Sequence, residues 1–131
     1  MAKVKILLVE DEPSVRNLCV EILRAAGYDP IVAVDGLDGV RIFREMHRDI
    51  RLVISDVIMP NMGGIELARQ VLEMRPDTCI LLMSGFGVPD QVPDQVGAVL
   101  AKPFGPLQLL SAVQKCLSRG TTTGASGCAC G

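Results

Sequence analysis

A chain of 131 residues, 49% of them apolar, is long enough for one buried core and too short for two. Its 13 Lys and Arg are scattered among 15 Asp and Glu, for a net charge of −2, which excludes the basic face of a nucleic-acid binder. No apolar run reaches the roughly 18 residues of a membrane span, and Met1-Ala2-Lys3 leads straight into an apolar stretch without a signal-peptide pattern, so the expectation is a cytoplasmic domain that meets neither nucleic acid nor membrane.

Aromatic residues make up only 3% and Trp is absent, so the core must be built from Val, Leu, Ile, Ala and Met. Val4 to Val9 reads as a strand that ends in Glu10-Asp11-Glu12-Pro13, with Pro13 suited to the first position of a helix. Val15, Leu18, Cys19 and Ile22 then recur at helical spacing until Gly27 closes the helix. Pro30 to Val34 predicts a second strand, and Asp35-Gly36 turns into a helix with Leu37, Val40 and Phe43 inward, ending near Met46. Leu52 to Ile54 is a third strand that stops at Asp56, after which Pro60, Gly63 and Gly64 break regular structure. A helix from Ile65 to Arg75 ends at Pro76-Asp77. Cys79 to Met83 is a fourth strand ending at Ser84-Gly85, and Gly97 to Ala101 a fifth, ending at Lys102-Pro103. Leu107, Leu110, Val113 and Leu117 give the last helix a buried stripe. Strands alternating with helices, and strands almost without polar residues, point to a parallel sheet covered on both faces.

Two segments depart from this rhythm. Val88-Pro89-Asp90-Gln91 repeats at once as Val92-Pro93-Asp94-Gln95, where a fourth crossover helix belongs. An interior proline costs a helix about 3 kcal/mol relative to Ala, and each one restricts the residue before it. No helix longer than about two turns is expected between Val88 and Val96. Residues 1–119 form the domain, and 120–131, without periodicity or large apolar side chains, read as a flexible C-terminal tail or a cloning remnant. Cys19, Cys79 and Cys116 fall on apolar faces as small hydrophobes. For Cys128 and Cys130 in the tail, a disulfide, a metal and uncommitted thiols all stay open, and uncommitted thiols are favoured.

The chemistry lies at the strand ends. The first offers Glu10 and Asp11, the third Asp56, the fourth Ser84 and the fifth Lys102, all at the carboxyl edge where open α/β sheets hold ligands. Two carboxylates 5 Å apart repel by about 3 kcal/mol even at an effective dielectric of 20, so such a cluster needs protons or a cation. Oxygen ligands with room for water suit Mg²⁺. Lys102 and Ser84 suit a phosphoryl group, and a carboxylate can itself be a nucleophile that forms an aspartyl phosphate.

Taken together, these motifs resemble the receiver domain of bacterial two-component response regulators over about residues 3 to 119. The resemblance rests on Val9-Glu10-Asp11-Glu12-Pro13, on Asp56-Val57-Ile58-Met59-Pro60-Asn61-Met62-Gly63-Gly64, on Met83-Ser84-Gly85 and on Lys102-Pro103-Phe104. It implies a flavodoxin-like, doubly wound five-stranded parallel sheet of order 2-1-3-4-5, the order known for this family among doubly wound folds. It implies Asp56 as phosphoacceptor. Asp11, Asp56 and the backbone carbonyl of Ile58 would hold Mg²⁺, Glu10 would act through water, and Ser84 and Lys102 would bind phosphoryl oxygens. The donor would be a sensor histidine kinase or a histidine phosphotransfer domain. The domain would catalyse only its own phosphorylation and dephosphorylation, and a cis Lys102–Pro103 bond would turn the lysine toward Asp56.

Three departures bear on output. Val99 stands three residues before the lysine, where relatives carry Tyr or Phe, the fourth helix is interrupted by Pro89 and Pro93, and Gly63 replaces a common Asp. A shortened segment here resembles receivers attached to hybrid sensor kinases. Among other readings, a haloacid-dehalogenase-type phosphatase wants a second Asp where Ile58 stands, and a nucleotide-binding module needs a glycine loop where Glu10 and Asp11 stand. A receiver-like interaction domain that is never phosphorylated is the remaining alternative.

Overall fold

The computed structural model describes the backbone of residues 3–130 and the side chains of residues 3–118. Strands β1 (Lys5–Val9), β2 (Asp29–Ala33), β3 (Ile50–Asp56), β4 (Cys79–Ser84) and β5 (Ala98–Ala101) form one sheet of order β2-β1-β3-β4-β5, every neighbouring pair parallel. Helices α1 (Pro13–Ala25), α2 (Gly36–Met46), α3 (Gly64–Met74) and α4 (Pro106–Cys130) cover its faces. The expected tail, 120–131, lies outside the residues whose side chains are described.

Alternation along the strands divides the core in two. Leu7, Val9, Val53, Ile80 and Leu82 face α2 and α3, where they meet Val40, Phe43, Leu67 and Val71. Ile6, Leu8, Leu52, Ile54, Leu81 and Met83 face α1 and α4, against Cys19, Leu23, Leu109, Val113 and Cys116. Both faces are covered by helices, which is why the central strands read as unbroken apolar runs.

The helix faces differ in detail from the periodicity. Leu37 is exposed; Gly36, Gly39, Val40 and Phe43 form the inner face of α2. Gly39 lies so close to β1 that a Cβ there would sit 3.0 Å from Val9 Cγ2, and hydropathy does not reveal a glycine as a core residue. Leu107 is 82% exposed, because α4 turns Leu109, Val113 and Cys116 inward and leaves Leu110 and Leu117 at the margin. Leu18 is likewise half-exposed on α1. Gly27, at φ +93°, closes α1 as expected.

Among the described residues of the β4–β5 crossover, 85–97, there is no helix. Turns replace it, with Val96 N–H donating to the Pro93 carbonyl at 3.0 Å and Gln91 in the left-handed region at φ +65°. Arg69 of α3 reaches Gln91 Oε1 at 3.4 Å. The four-residue repeat nonetheless has a packing role: Val92 and Val96 lie against the core face of α2 and α3, whereas Val88 is 76% exposed.

Removing two methyl groups from such partly buried valines costs about 1 kcal/mol on the scale of about 0.8 kcal/mol per buried CH₂. Val92→Ala and Val96→Ala are each expected to lower the unfolding free energy by about that amount, and Val88→Ala to leave it unchanged. Urea denaturation of the three variants checks this.

Candidate functional site

Parallel register brings the polar strand ends together. Val9 pairs with Ser55, Asp56 with Met83, and Ser84 with Ala101, so the residues at or just past these pairs share one edge of the sheet. Backbone bonds fix their starting points: Glu10 N–H donates to Ala33 O at 3.1 Å, Val57 N–H to Met83 O at 2.9 Å, and Lys102 N–H to Ser84 O at 2.8 Å. The structure assembles the predicted carboxylates, with one oxygen each of Glu10, Asp11 and Asp56 mutually within 4.8 Å.

The lysine is the keystone. The Lys102–Pro103 bond is cis, as expected. Lys102 Nζ donates to Asp56 Oδ2 at 2.8 Å and to Glu10 Oε1 at 3.1 Å. The side chain of Asp56 is 13% exposed, and that of Glu10 is fully buried. Glu10 Oε2 also accepts from the Glu12 N–H at 3.1 Å. Burial pushes the Glu10 carboxyl above its ordinary 4.5; the Glu12 N–H and Lys102 pull it down, the Asp56 charge adds to the rise, and the balance stays upward. Burial works against the Lys102 ammonium, but its bonds to Asp56 and Glu10 outweigh burial and raise it above 10.5. At neutral pH it is therefore a fixed positive charge between two acids.

The donor set fits a hard divalent cation. All three groups offer oxygen, Asp11 is exposed and open to water, and three carboxylates facing one ammonium leave the cluster short of positive charge. Ser84 is also buried, but its hydroxyl is engaged in its own loop, donating to the Gly87 carbonyl at 2.6 Å and accepting from the Phe86 N–H at 3.2 Å. Ile58 lies in the loop after β3, its side chain 62% exposed.

Sequence reasoning missed one connection. Asp35 caps α2, accepting from the Asp38 N–H at 2.8 Å, and its other oxygen accepts from Asn61 Nδ2 at 2.7 Å. The signal was a capping pattern, Asp35 followed three residues later by Asp38, whose carboxylate accepts from the Val34 N–H. The reach to Asn61, 26 residues away, has no local signature.

A β2-β1-β3-β4-β5 parallel sheet carrying three acids and a bridging lysine at its carboxyl edge defines the receiver class of flavodoxin-like folds. The chain belongs to the response regulator receiver domain family, whose model matches residues 6–114. It is 34% identical over 117 residues to the response regulator receiver protein CpdR of Brucella abortus, covering 86% of this chain and 96% of that one. It is 33% identical to part of the sensor kinase CckA of the same organism, covering 87% of this chain but 12% of the kinase. The solved structure of response regulator protein TrrA from Thermotoga maritima, in complex with Mg²⁺-BeF, superposes with a TM-score of 0.81 at 30% identity, covering 88% of this chain and all of that one. The chain is thus a receiver domain of two-component signalling, and among the described residues no helix is long and apolar enough to cross a membrane.

Both Glu10 and Lys102 titrate higher in the fold than free in water, so the stability each contributes is present below its ordinary value and lost as pH rises through the raised one. For Glu10 that window opens above 4.5, and for Lys102 above 10.5. Lys102→Met leaves Glu10 and Asp56 without their counter-charge and is expected to cost about 3 kcal/mol near neutral pH, at the low end for breaking a buried pair. In metal-free buffer the deficit should shrink as pH falls toward 4.5 and Glu10 takes up its proton. Urea titrations of both proteins across the acid range measure the difference.

Proposed function

We propose that Asp56 accepts a phosphoryl group from the phosphohistidine of a sensor histidine kinase or a histidine phosphotransfer domain, with Mg²⁺ bound at the acid cluster. The observation that carries this reading is the Lys102 ammonium at 2.8 Å from Asp56, beside two further carboxylates that still need positive charge. An Asp56 oxygen attacks phosphorus in line, the N–P bond breaks, and the imidazole departs. Asp11, Asp56 and the Ile58 carbonyl would hold the metal, with Glu10 acting through water. Bound there, Mg²⁺ would supply charge neutralisation for the phosphoryl oxygens.

Lys102 then exchanges a carboxylate partner for a phosphoryl oxygen, keeping the charge count local as the transferred group arrives. Ser84 joins by releasing the Gly87 carbonyl and turning its hydroxyl to the phosphoryl group. The domain promotes its own phosphorylation and hydrolysis, and turnover of a free substrate is not its role. Likeness to a segment of a sensor kinase supports a place for this domain in a larger hybrid kinase or regulator.

Incubation with acetyl phosphate and Mg²⁺ should add one phosphoryl mass that hydroxylamine removes, and Asp56→Asn should abolish it. A hydroxylamine-stable phosphate, or labelling of Asp56→Asn, would overturn the reading, and no labelling at all would favour a pure interaction domain. Asp11→Ala should abolish a weak 1:1 Mg²⁺ titration.

Output is expected to bypass the relay that the family resemblance implies, in which an aromatic at position 99 swings inward and the fourth crossover helix shifts. Val99 is half-buried where relatives place an aromatic, and the crossover after Ser84 holds no helix to shift. Amide exchange with and without Mg²⁺-BeF should change around residues 56–63 and 84–87 and little in residues 88–101. Strong protection changes across 88–101, with dimerisation, would restore the relay.

A further inference from the structure

We infer that Asp35 and Asn61 are positioning residues for the metal site, a clamp that holds the loop after Asp56 in the shape its backbone ligand needs. The inference rests on the proposed function, under which the Ile58 carbonyl is that ligand. The loop is anchored first at its ends. Gly64 N–H donates to the Val57 carbonyl at 2.8 Å, and Gly64 lies so tightly under β3 that a Cβ there would fall 2.3 Å from the Asp56 carbonyl oxygen. Gly63 is similarly close, its Cβ position 2.8 Å from Val57 O.

Between these ends the outer limb is held from the neighbouring loop. Asn61 occupies the left-handed region at φ +69°, which Asn adopts more readily than most non-glycine residues and which a side-chain bond can hold in place. What fixes it is the 2.7 Å bond from its Nδ2 to Asp35 Oδ2. Among the described residues this is the one side-chain hydrogen bond tying residues 57–63 to another element. The next pair in each loop is in contact as well: a Cβ on Gly36 would sit 2.2 Å from the Met62 carbonyl oxygen.

Asp35 is itself held at its other oxygen, which caps α2 through the Asp38 N–H. Met59 is buried in the core, which fixes the inner limb. With 57, 59, 61, 62 and 64 all pinned, Ile58 has little freedom to move its carbonyl, even though its side chain is exposed. A partner hydrogen-bonded directly to a metal ligand is typically worth about 10–100-fold in affinity, and a clamp that acts through the loop backbone is expected at the low end of that range.

The test compares two variants by Mg²⁺ titration, thermal unfolding and amide exchange of the metal-free protein. Asn61→Gly removes the clamp, leaves the charge unchanged, and places at φ +69° the residue that tolerates it best. Asp35→Ser keeps a cap for α2 but lacks a second oxygen for Asn61. Each is expected to bind Mg²⁺ about tenfold more weakly, the double variant no worse than either single one, with Ile58 and Met59 amides exchanging faster. A merely structural pair would lower the melting temperature and leave Mg²⁺ affinity native, and that result overturns the inference alone. A native protein that binds no Mg²⁺ overturns the proposed function and this inference together, whereas loss of binding in Asp11→Ala with native affinity in both clamp variants again removes only the clamp.

Discussion

The Lys102 ammonium, set between a fully buried Glu10 and a nearly buried Asp56, is the interaction on which the rest of the site depends. Acids at adjacent strand ends repel, and burial raises the cost of keeping them charged. A fold that places them there must bring a cation to the same edge. It does so with the strand two positions along the sheet, whose last residue is followed at once by the lysine and a cis proline. Among the described residues no buried side-chain nitrogen or oxygen lacks a hydrogen-bond partner, yet three carboxylates facing one ammonium leave the pocket short of positive charge.

The same arrangement makes the site responsive. Lys102 has two carboxylate partners, and under the proposed function it would give one up to the incoming phosphoryl group. Ser84 is held in its own loop by a 2.6 Å bond to Gly87, and the role proposed for it would require that loop to open. The loop continues into a crossover of turns that is attached to the body by Val92 and Val96 and by Arg69, with no helix to carry a displacement outward. The chemistry of a receiver is present, with a short mechanical connection behind it. Phe86 and Val88, both largely exposed, lie on this segment, where a longer helix would otherwise gather apolar side chains inward.

Local pattern alone determined much of this protein. Unbroken apolar runs ending in Glu10, Asp56, Ser84 and Lys102 announced strands buried on both faces, with their chemistry at one edge. The doubled Val-Pro-Asp-Gln limited any helix there to about two turns, because a missing donor and a constrained preceding residue are properties of the chain itself. Helix limits were legible to within a residue or so where Pro13 and Gly27 mark them.

Tertiary structure decided what depends on distance between strands and on close approach. Leu37 and Leu107 read as core by hydropathy, yet Gly36 and Gly39 face inward on α2, and α4 turns Leu109 to the sheet. A glycine's value in a core is the room it leaves, and no apolar scale records that. Lys102 is a strand-end cation in sequence, and only parallel register converts it into a bridge between residues 46 and 92 positions away. The Asp35–Asn61 bond is of the same kind: each residue reads as an ordinary turn former, and the contact exists because β1 lies between β2 and β3, bringing the loops that follow those strands to the same edge. Side-chain type and spacing are local quantities fixed by the chain; which charges neutralise one another is set by the order of strands in the sheet.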